Sequence, residues 1–211
     1  MENNLTKTGT TTIGIKCKEG IVLAADKRAT AGHMIVDKHA EKLHQIDTHI
    51  ALTIAGLVSD AQLLTKLARA EIQLKKLRTH APVTVKEAAN LLANLSYTNI
   101  RRMSMVPGIV GFVVGGMDIE GGHLYNIGID GSITEEEDYT SDGSGSVFAY
   151  GVLETMYKKD LSVDEGIKLA LKGLSAAIQR DSASGNGVDV ITITKDGVKR
   201  VLSKRFEVKV E

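Results

Sequence analysis

Three threonines in a row, Thr10, Thr11 and Thr12, directly follow Gly9, and this junction is where the chain could do covalent chemistry. A threonine hydroxyl is a weak nucleophile at its free pKa and needs a base beside it. A threonine at a chain's amino terminus carries its own base, because an α-amine has a reference pKa of about 7.7–8.0, near the pH at which a general base works best. Gly9 lacks a Cβ and can adopt a strained turn that brings its carbonyl onto the Thr10 hydroxyl. Attack on that carbonyl gives an ester by an N-to-O acyl shift, and hydrolysis of the ester frees the Thr10 amine. While the Gly9–Thr10 bond is intact, the nitrogen is an amide and cannot act as a base. Were this chemistry to operate, residues 1–9 would be a propeptide, residues 10–211 one catalytic domain, and the uncut chain a zymogen. Taken alone, Gly-Thr-Thr-Thr reads as the β-prone start of a strand.

The elements that must position such a nucleophile can be read from periodicity. Segments 10–17 and 20–26 are rich in Thr, Ile and Val around Lys18-Glu19-Gly20, which predicts a hairpin. A second pair covers 42–46 and 49–56. From Ser59 the spacing turns helical through Ala61, Leu64, Leu67, Ala68, Glu71, Leu74 and Leu77, with Glu71 breaking the apolar stripe. A second helix follows Pro82, with Thr84 and Glu87 in capping-box spacing. Strands return at 109–116 and 123–129, Asp130-Gly131 marks a turn, and the acidic run 135–138 reads as a solvated loop. Helices over 147–158 and from Ser162 to about Asp181, the latter opened by a Ser162/Glu165 box, precede two last strands, 188–194 and 198–202. Runs of strands alternating with helix pairs predict an α+β protein with antiparallel sheets and segregated helix layers. Two stacked sheets with helix pairs outside, a four-layer αββα sandwich, would cover every apolar face.

Composition narrows the function classes. Lys+Arg and Asp+Glu are each 26, so net charge offers no attraction to nucleic acid or an anionic membrane. The basic clusters at Lys75-Lys76-Leu77-Arg78 and Arg101-Arg102 have no interleaved aromatic residues to stack bases. The start of the chain is polar and lacks the apolar core of a secretory signal, and no segment approaches the roughly 20 apolar residues of a membrane span. A soluble, cytoplasmic protein is expected. A single cysteine, Cys17, precludes an intrachain disulfide and reads as a strand thiol. The six histidines (33, 39, 44, 49, 80 and 123) are scattered, so neither a metal site nor a cofactor is expected.

Several spaced motifs carry a resemblance. They are Thr10, Thr12 and Gly14, then Gly20, then Ala24-Ala25-Asp26-Lys27-Arg28-Ala29-Thr30 with Gly32 soon after. Glu41-Lys42-Leu43 and Ile54-Ala55-Gly56 follow, and far downstream stand Gly143-Ser144-Gly145-Ser146 and Gln179-Arg180-Asp181-Ser182-Ala183-Ser184-Gly185. From Gly9 to about Ile193 this pattern resembles the catalytic β-subunits of the proteasome core particle, closest to the archaeal type, within the N-terminal nucleophile hydrolases. The resemblance implies that Thr10 is the nucleophile and its amine the base, acting through a water. Lys42 would favour the deprotonated Thr10 hydroxyl, with Asp26 as its paired carboxylate. Ser144, Asp181 and Ser184 would orient the amine, and the Gly56 N–H would serve as oxyanion donor. Ala29, Ala40, Ile54 and Val58, with Lys42 at the base, would form an apolar pocket favouring cleavage after hydrophobic residues. Thr30 would offer backbone hydrogen bonds to an extended peptide. Arg28 reads as a structural charge near the site.

The implied partners are other β-subunits in a ring, rings of α-subunits, a regulatory unfolding ATPase and unfolded polypeptide substrates. Two alternatives are the bacterial HslV-type threonine protease and a non-catalytic ring subunit. The first typically carries Gly-Asp-Gly where this chain has Ala25-Asp26-Lys27-Arg28. The second loses the Gly-Thr junction or the lysine, both present here.

Overall fold

A computed structural model of the chain describes residues 9–206; of the expected propeptide only Gly9 falls within them. The first strands, β1 (Thr12–Cys17) and β2 (Gly20–Asp26), form the predicted hairpin. A two-stranded ribbon follows, β3 (Ala29–Ala31) and β4 (Met34–Asp37), then β5 (Leu43–Asp47) and β6 (Ile50–Gly56). Helices α1 (Val58–Thr79) and α2 (Val85–Arg101) lead to β7 (Val110–Asp118), β8 (Gly121–Ile127), β9 (Ile133–Glu135) and β10 (Tyr139–Asp142). Helices α3 (Ser146–Met156) and α4 (Val163–Arg180) precede β11 (Gly187–Thr194) and β12 (Gly197–Arg205). One five-stranded antiparallel sheet has the order β10-β1-β2-β11-β12 and the other β5-β6-β7-β8-β9.

The expected αββα arrangement follows from where alternate side chains go. Along β2, Val22 and Ala24 pack toward α3 and α4, while Ile21, Leu23 and Ala25 face the second sheet. Along β6 and β7, Ile50, Leu52, Phe112 and Val114 meet α1 and α2, whereas Ala51 and Val113 turn to the first sheet. This period-2 division of each strand between two cores is what stacks two sheets between two helix layers. Each fully buried aliphatic or aromatic side chain contributes about 1.5–3 kcal/mol.

The helix starts match the sequence reading closely. Both capping boxes form: the Thr84 hydroxyl accepts from Glu87 N–H and the Ser162 hydroxyl from Glu165 N–H, with each glutamate reaching back. The face of α1 differs from the expected stripe. It buries Ala61, Leu64, Thr65, Ala68 and Ile72, while Leu67, Leu74, Leu77 and Glu71 lie outward. With Ile72 in place of Glu71 the buried face follows the 3.6-residue period without interruption. Among the described residues no helix is long and apolar enough to cross a membrane.

Candidate active site

Three strand pairings gather the site at one end of the first sheet. The β1–β2 register sets Thr12 opposite Ala25, so Thr11 lies beside Asp26 and its carbonyl accepts from Asp26 N–H at 3.2 Å. The β1–β10 register sets Thr12 opposite Asp142, which brings the turn holding Gly143 and Ser144 to Thr10. The β11–β2 register sets Val188 opposite Asp26, which brings the loop between α4 and β11 to the same place. Lys42, just ahead of β5, is held from the second sheet: its carbonyl accepts from Ile54 N–H at 3.0 Å.

Asp26 is the hub, 1% exposed. Its Oδ1 accepts from Lys42 Nζ at 2.7 Å and Thr11 N–H at 3.0 Å; its Oδ2 accepts from Arg28 N–H and Gly185 N–H, both at 2.9 Å. A buried carboxylate with four donors, one of them cationic, is the arrangement in which buried charge is tolerated. Lys42 is 5% exposed. Burial pulls its ammonium below the ordinary 10.5, opposed by the charge and hydrogen bond of Asp26.

A second network reaches Thr10 through its backbone nitrogen. The Thr10 N–H donates to Ser144 Oγ at 3.3 Å, and Ser144 Oγ donates to Asp181 Oδ2 at 2.7 Å. Ser184 Oγ donates to the same carboxylate oxygen at 2.6 Å, and lies 2.7 Å from Thr11 Oγ1. The helix α4 ends at Arg180, and its last turn holds Asp181 through the Asp181 N–H to Ala177 O bond at 2.7 Å. Arg28 braces this loop, donating to Asn186 Oδ1 at 2.7 Å and Ser182 O at 2.6 Å.

Thr10 opens onto a cavity of about 390 Å³ whose lining includes Gly9, Ala29, Thr30, Ala40, Lys42, Ile54, Gly56 and Val58. Every residue expected from the sequence to bind substrate or stabilise an oxyanion therefore faces one space with Thr10 and Lys42, while Asp26, Ser144, Asp181 and Ser184 stand behind. A larger cleft of about 510 Å³ between α1 and α2 offers Lys, Glu and Asn side chains but no activated nucleophile. Gly56 has φ +123, and a Cβ there would lie 2.2 Å from Ile109 O, so only glycine keeps the backbone against β7. Gly9 N–H donates to Thr30 Oγ1 at 3.1 Å, and a Cβ on Gly9 would stand 1.8 Å from Ala183 Cβ and 2.9 Å from Ser144 Oγ.

The sequence reading missed several residues with a role here. His44, the second residue of β5, lines the cavity beside the Ala40–Lys42 segment that precedes the strand. Gln62 follows from Val58 by the i, i+4 spacing of α1. Val36, Asp37 and Glu41 also line it. Thr11 and the Gly185 N–H hold Asp26 through backbone donors, which no side-chain pattern announces. Among the described residues no cluster of three or more His, Cys, Asp or Glu is suited to a metal ion.

Comparison with known proteins adds an independent line. The family model described as "Proteasome subunit" matches residues 6–193. A protein named "Proteasome subunit beta" from Methanocaldococcus vulcanius is 46% identical over 195 residues, spanning 92% of this chain and 86% of its own. Those of the same name from Methanocaldococcus jannaschii, 46% over 192 residues (90% and 84%), and Methanococcus maripaludis strain C7, 47% over 200 residues (94% and 90%), are similarly alike.

Proposed function

This chain belongs to the proteasome subunit family as a β-type subunit, and we propose that it is a catalytic one: a threonine endopeptidase that frees its own nucleophile by cutting Gly9–Thr10. The single observation that carries this reading is the placement of Thr10. It lines a mostly apolar cavity together with Lys42, whose ammonium is paired with buried Asp26, and its nitrogen donates to Ser144 of the Ser144–Asp181–Ser184 network.

In the first step Thr10 Oγ1 attacks the Gly9 carbonyl carbon, the C–N bond breaks as the hydroxyl proton passes to the nitrogen, and an ester forms. Water then hydrolyses the ester, leaving residues 1–9 with a carboxylate and Thr10 with a free amine. In the mature chain that amine takes the hydroxyl proton through a water, and the hydroxyl oxygen attacks the substrate carbonyl. The Lys42 ammonium lowers the cost of the deprotonated hydroxyl, and the Gly56 N–H meets the developing oxyanion. The leaving amine takes the proton back, and water resolves the acyl-enzyme. Ala29, Ala40, Ile54 and Val58 suit an apolar side chain before the cut, and Thr30 pairs with the extended peptide. The subunit acts in rings with other β-subunits and with α-subunits, on unfolded chains delivered by an unfolding ATPase.

The test is intact mass and peptide hydrolysis of the assembled particle, with the parent compared to Thr10→Ala. The parent is expected to lose residues 1–9 and cleave peptides; Thr10→Ala is expected to do neither. Equal hydrolysis by both would leave a structural ring subunit as the reading.

A further inference from the structure

Beside the candidate site, three more ion pairs continue the Lys42–Asp26 contact into a closed circuit. Lys27, next to Asp26 in the chain, pairs with Asp189 on β11, and both side chains are buried. Asp189 also meets Arg200 on β12 at 3.4 Å. Arg200 pairs with Glu41, and Glu41 is next to Lys42. Signs alternate around the whole circuit, with two of its links supplied by the chain itself.

Arg200 owes its position to a bulge. Across β11–β12, Leu202 pairs with Val190 but Arg200 pairs with Ile191, leaving Val201 as the extra residue. Leu202 consequently packs on the helix side of the sheet, while Val198, of the same parity, packs between the sheets. Arg200 shares the Val198 side and reaches Glu41 ahead of β5, and also donates to Leu43 O, at the start of β5, at 3.5 Å. Bulges commonly re-aim one side chain in this way. The residue so aimed lies beyond the 6–193 span of the family match.

Glu41 lies on the wall of the cavity. A free carboxylate there would attract a cationic substrate side chain, and Arg200 neutralises it while itself anchored to buried Asp189. We infer that Arg200 sets which residue is accepted before the cut: by holding Glu41 against β12, it keeps an otherwise mostly apolar cavity from favouring basic side chains. This rests on the reading of the cavity as the substrate pocket of a Thr10 peptidase.

Two peptides that differ only in leucine or arginine before the cut test it, with kcat/KM measured for each on the assembled particle. Arg200→Met is expected to raise the arginine-to-leucine ratio about fivefold, equivalent to about 1 kcal/mol. Adding Glu41→Gln to the same chain should return the ratio to within about twofold of the parent, as coupled neighbours require. Arg200→Lys, which keeps the charge, should move it by less than about twofold. General destabilisation would lower both rates together and leave the ratio alone. An unmoved ratio in an active Arg200→Met particle overturns the inference, as does a raised ratio that survives Glu41→Gln. Should Arg200→Met fail to assemble, Glu41→Gln alone decides. It removes the acidic partner that Arg200 has on the cavity wall and should lower the ratio, and an unmoved ratio overturns the inference. Failure of the underlying reading shows separately, as a Thr10→Ala particle that cleaves both peptides as fast as the parent.

Discussion

The sharpest mutational test of the self-cleavage chemistry is Gly9→Ala, because its cost can be worked from distances. The added Cβ would stand 1.8 Å from Ala183 Cβ, and ordinary contact begins at 3.4 Å. The Gly9 backbone and Ala183 must therefore separate by about 1.6 Å. A misplacement of about 1 Å between reacting groups costs on the order of a hundredfold in rate, so self-cleavage should slow by at least about a hundredfold. The assay is the time course of intact mass, following loss of residues 1–9 after assembly. A second substitution identifies the obstacle. In Gly9→Ala with Ala183→Gly the Cβ would still lie 3.1 Å from the position 183 Cα and 2.9 Å from Ser144 Oγ. Recovery should thus be partial, roughly tenfold of the lost rate, with Ala183→Gly alone processing normally. Processing of Gly9→Ala within about threefold of the parent would refute the argument, because no clash of that size can be absorbed without moving the scissile carbonyl.

Three further outcomes follow from the buried charges and the thiol. Asp26→Ala strands the Lys42 ammonium in the interior, and should cost about 3–5 kcal/mol of stability by the denaturant midpoint; a loss under about 1 kcal/mol would show that the pair is not buried as described. Burial lowers the Lys42 pKa, so between that lowered value and 10.5 the unfolded chain binds the extra proton. Its contribution to stability is present above 10.5 and is lost as pH falls through the lowered value. Activity that needs the charged ammonium should correspondingly fail on an alkaline limb whose midpoint lies below 10.5, and a kcat/KM profile flat to that pH would contradict it. Burial, with Glu165 adding to it, pushes the Cys17 thiol up to about 12. At pH 8 about one molecule in ten thousand carries the thiolate, so alkylation should be very slow in the native chain and ordinary in denaturant. Fast native labelling would mean that β1 opens readily.

Much of the fold could be read locally because its elements announce themselves locally. The boxes at Thr84/Glu87 and Ser162/Glu165 fixed two helix starts, and the continuous apolar runs in residues 20–26 and 109–116 marked central strands. The ribbon β3–β4 and the short strands β9 and β10 were not read, since three or four residues hold too little pattern to show a period. They exist through pairing, as β10 does against β1. On α1, the apolar residues spread around the helix, and only the partner sheet decides that Ile72 is buried and Leu77 is not. The site divides in the same way. Gly9-Thr10 raised a chemistry that its own residues do not separate from the start of a strand, and Thr10, like Asp26 and Lys42, took on its role only through a family resemblance. Their contact depends on two different sheets meeting. Nothing in residue types pointed to Arg200, whose aim is set by one extra residue in β12.

The hydroxyls around Thr10 have a direction as well as a position. Asp181 Oδ2 is an acceptor only, so Ser144 and Ser184 each spend their one proton on it. Thr11 must then donate to Ser184, and Ser144 must receive from the Thr10 nitrogen. Every proton in the chain of contacts is oriented toward a single carboxylate. Were self-cleavage to turn that nitrogen into an amine, the same polarity would oblige it to remain a donor toward Ser144, with its lone pair turned away from that network. An aspartate two contacts distant would thereby decide which side of the nitrogen is basic.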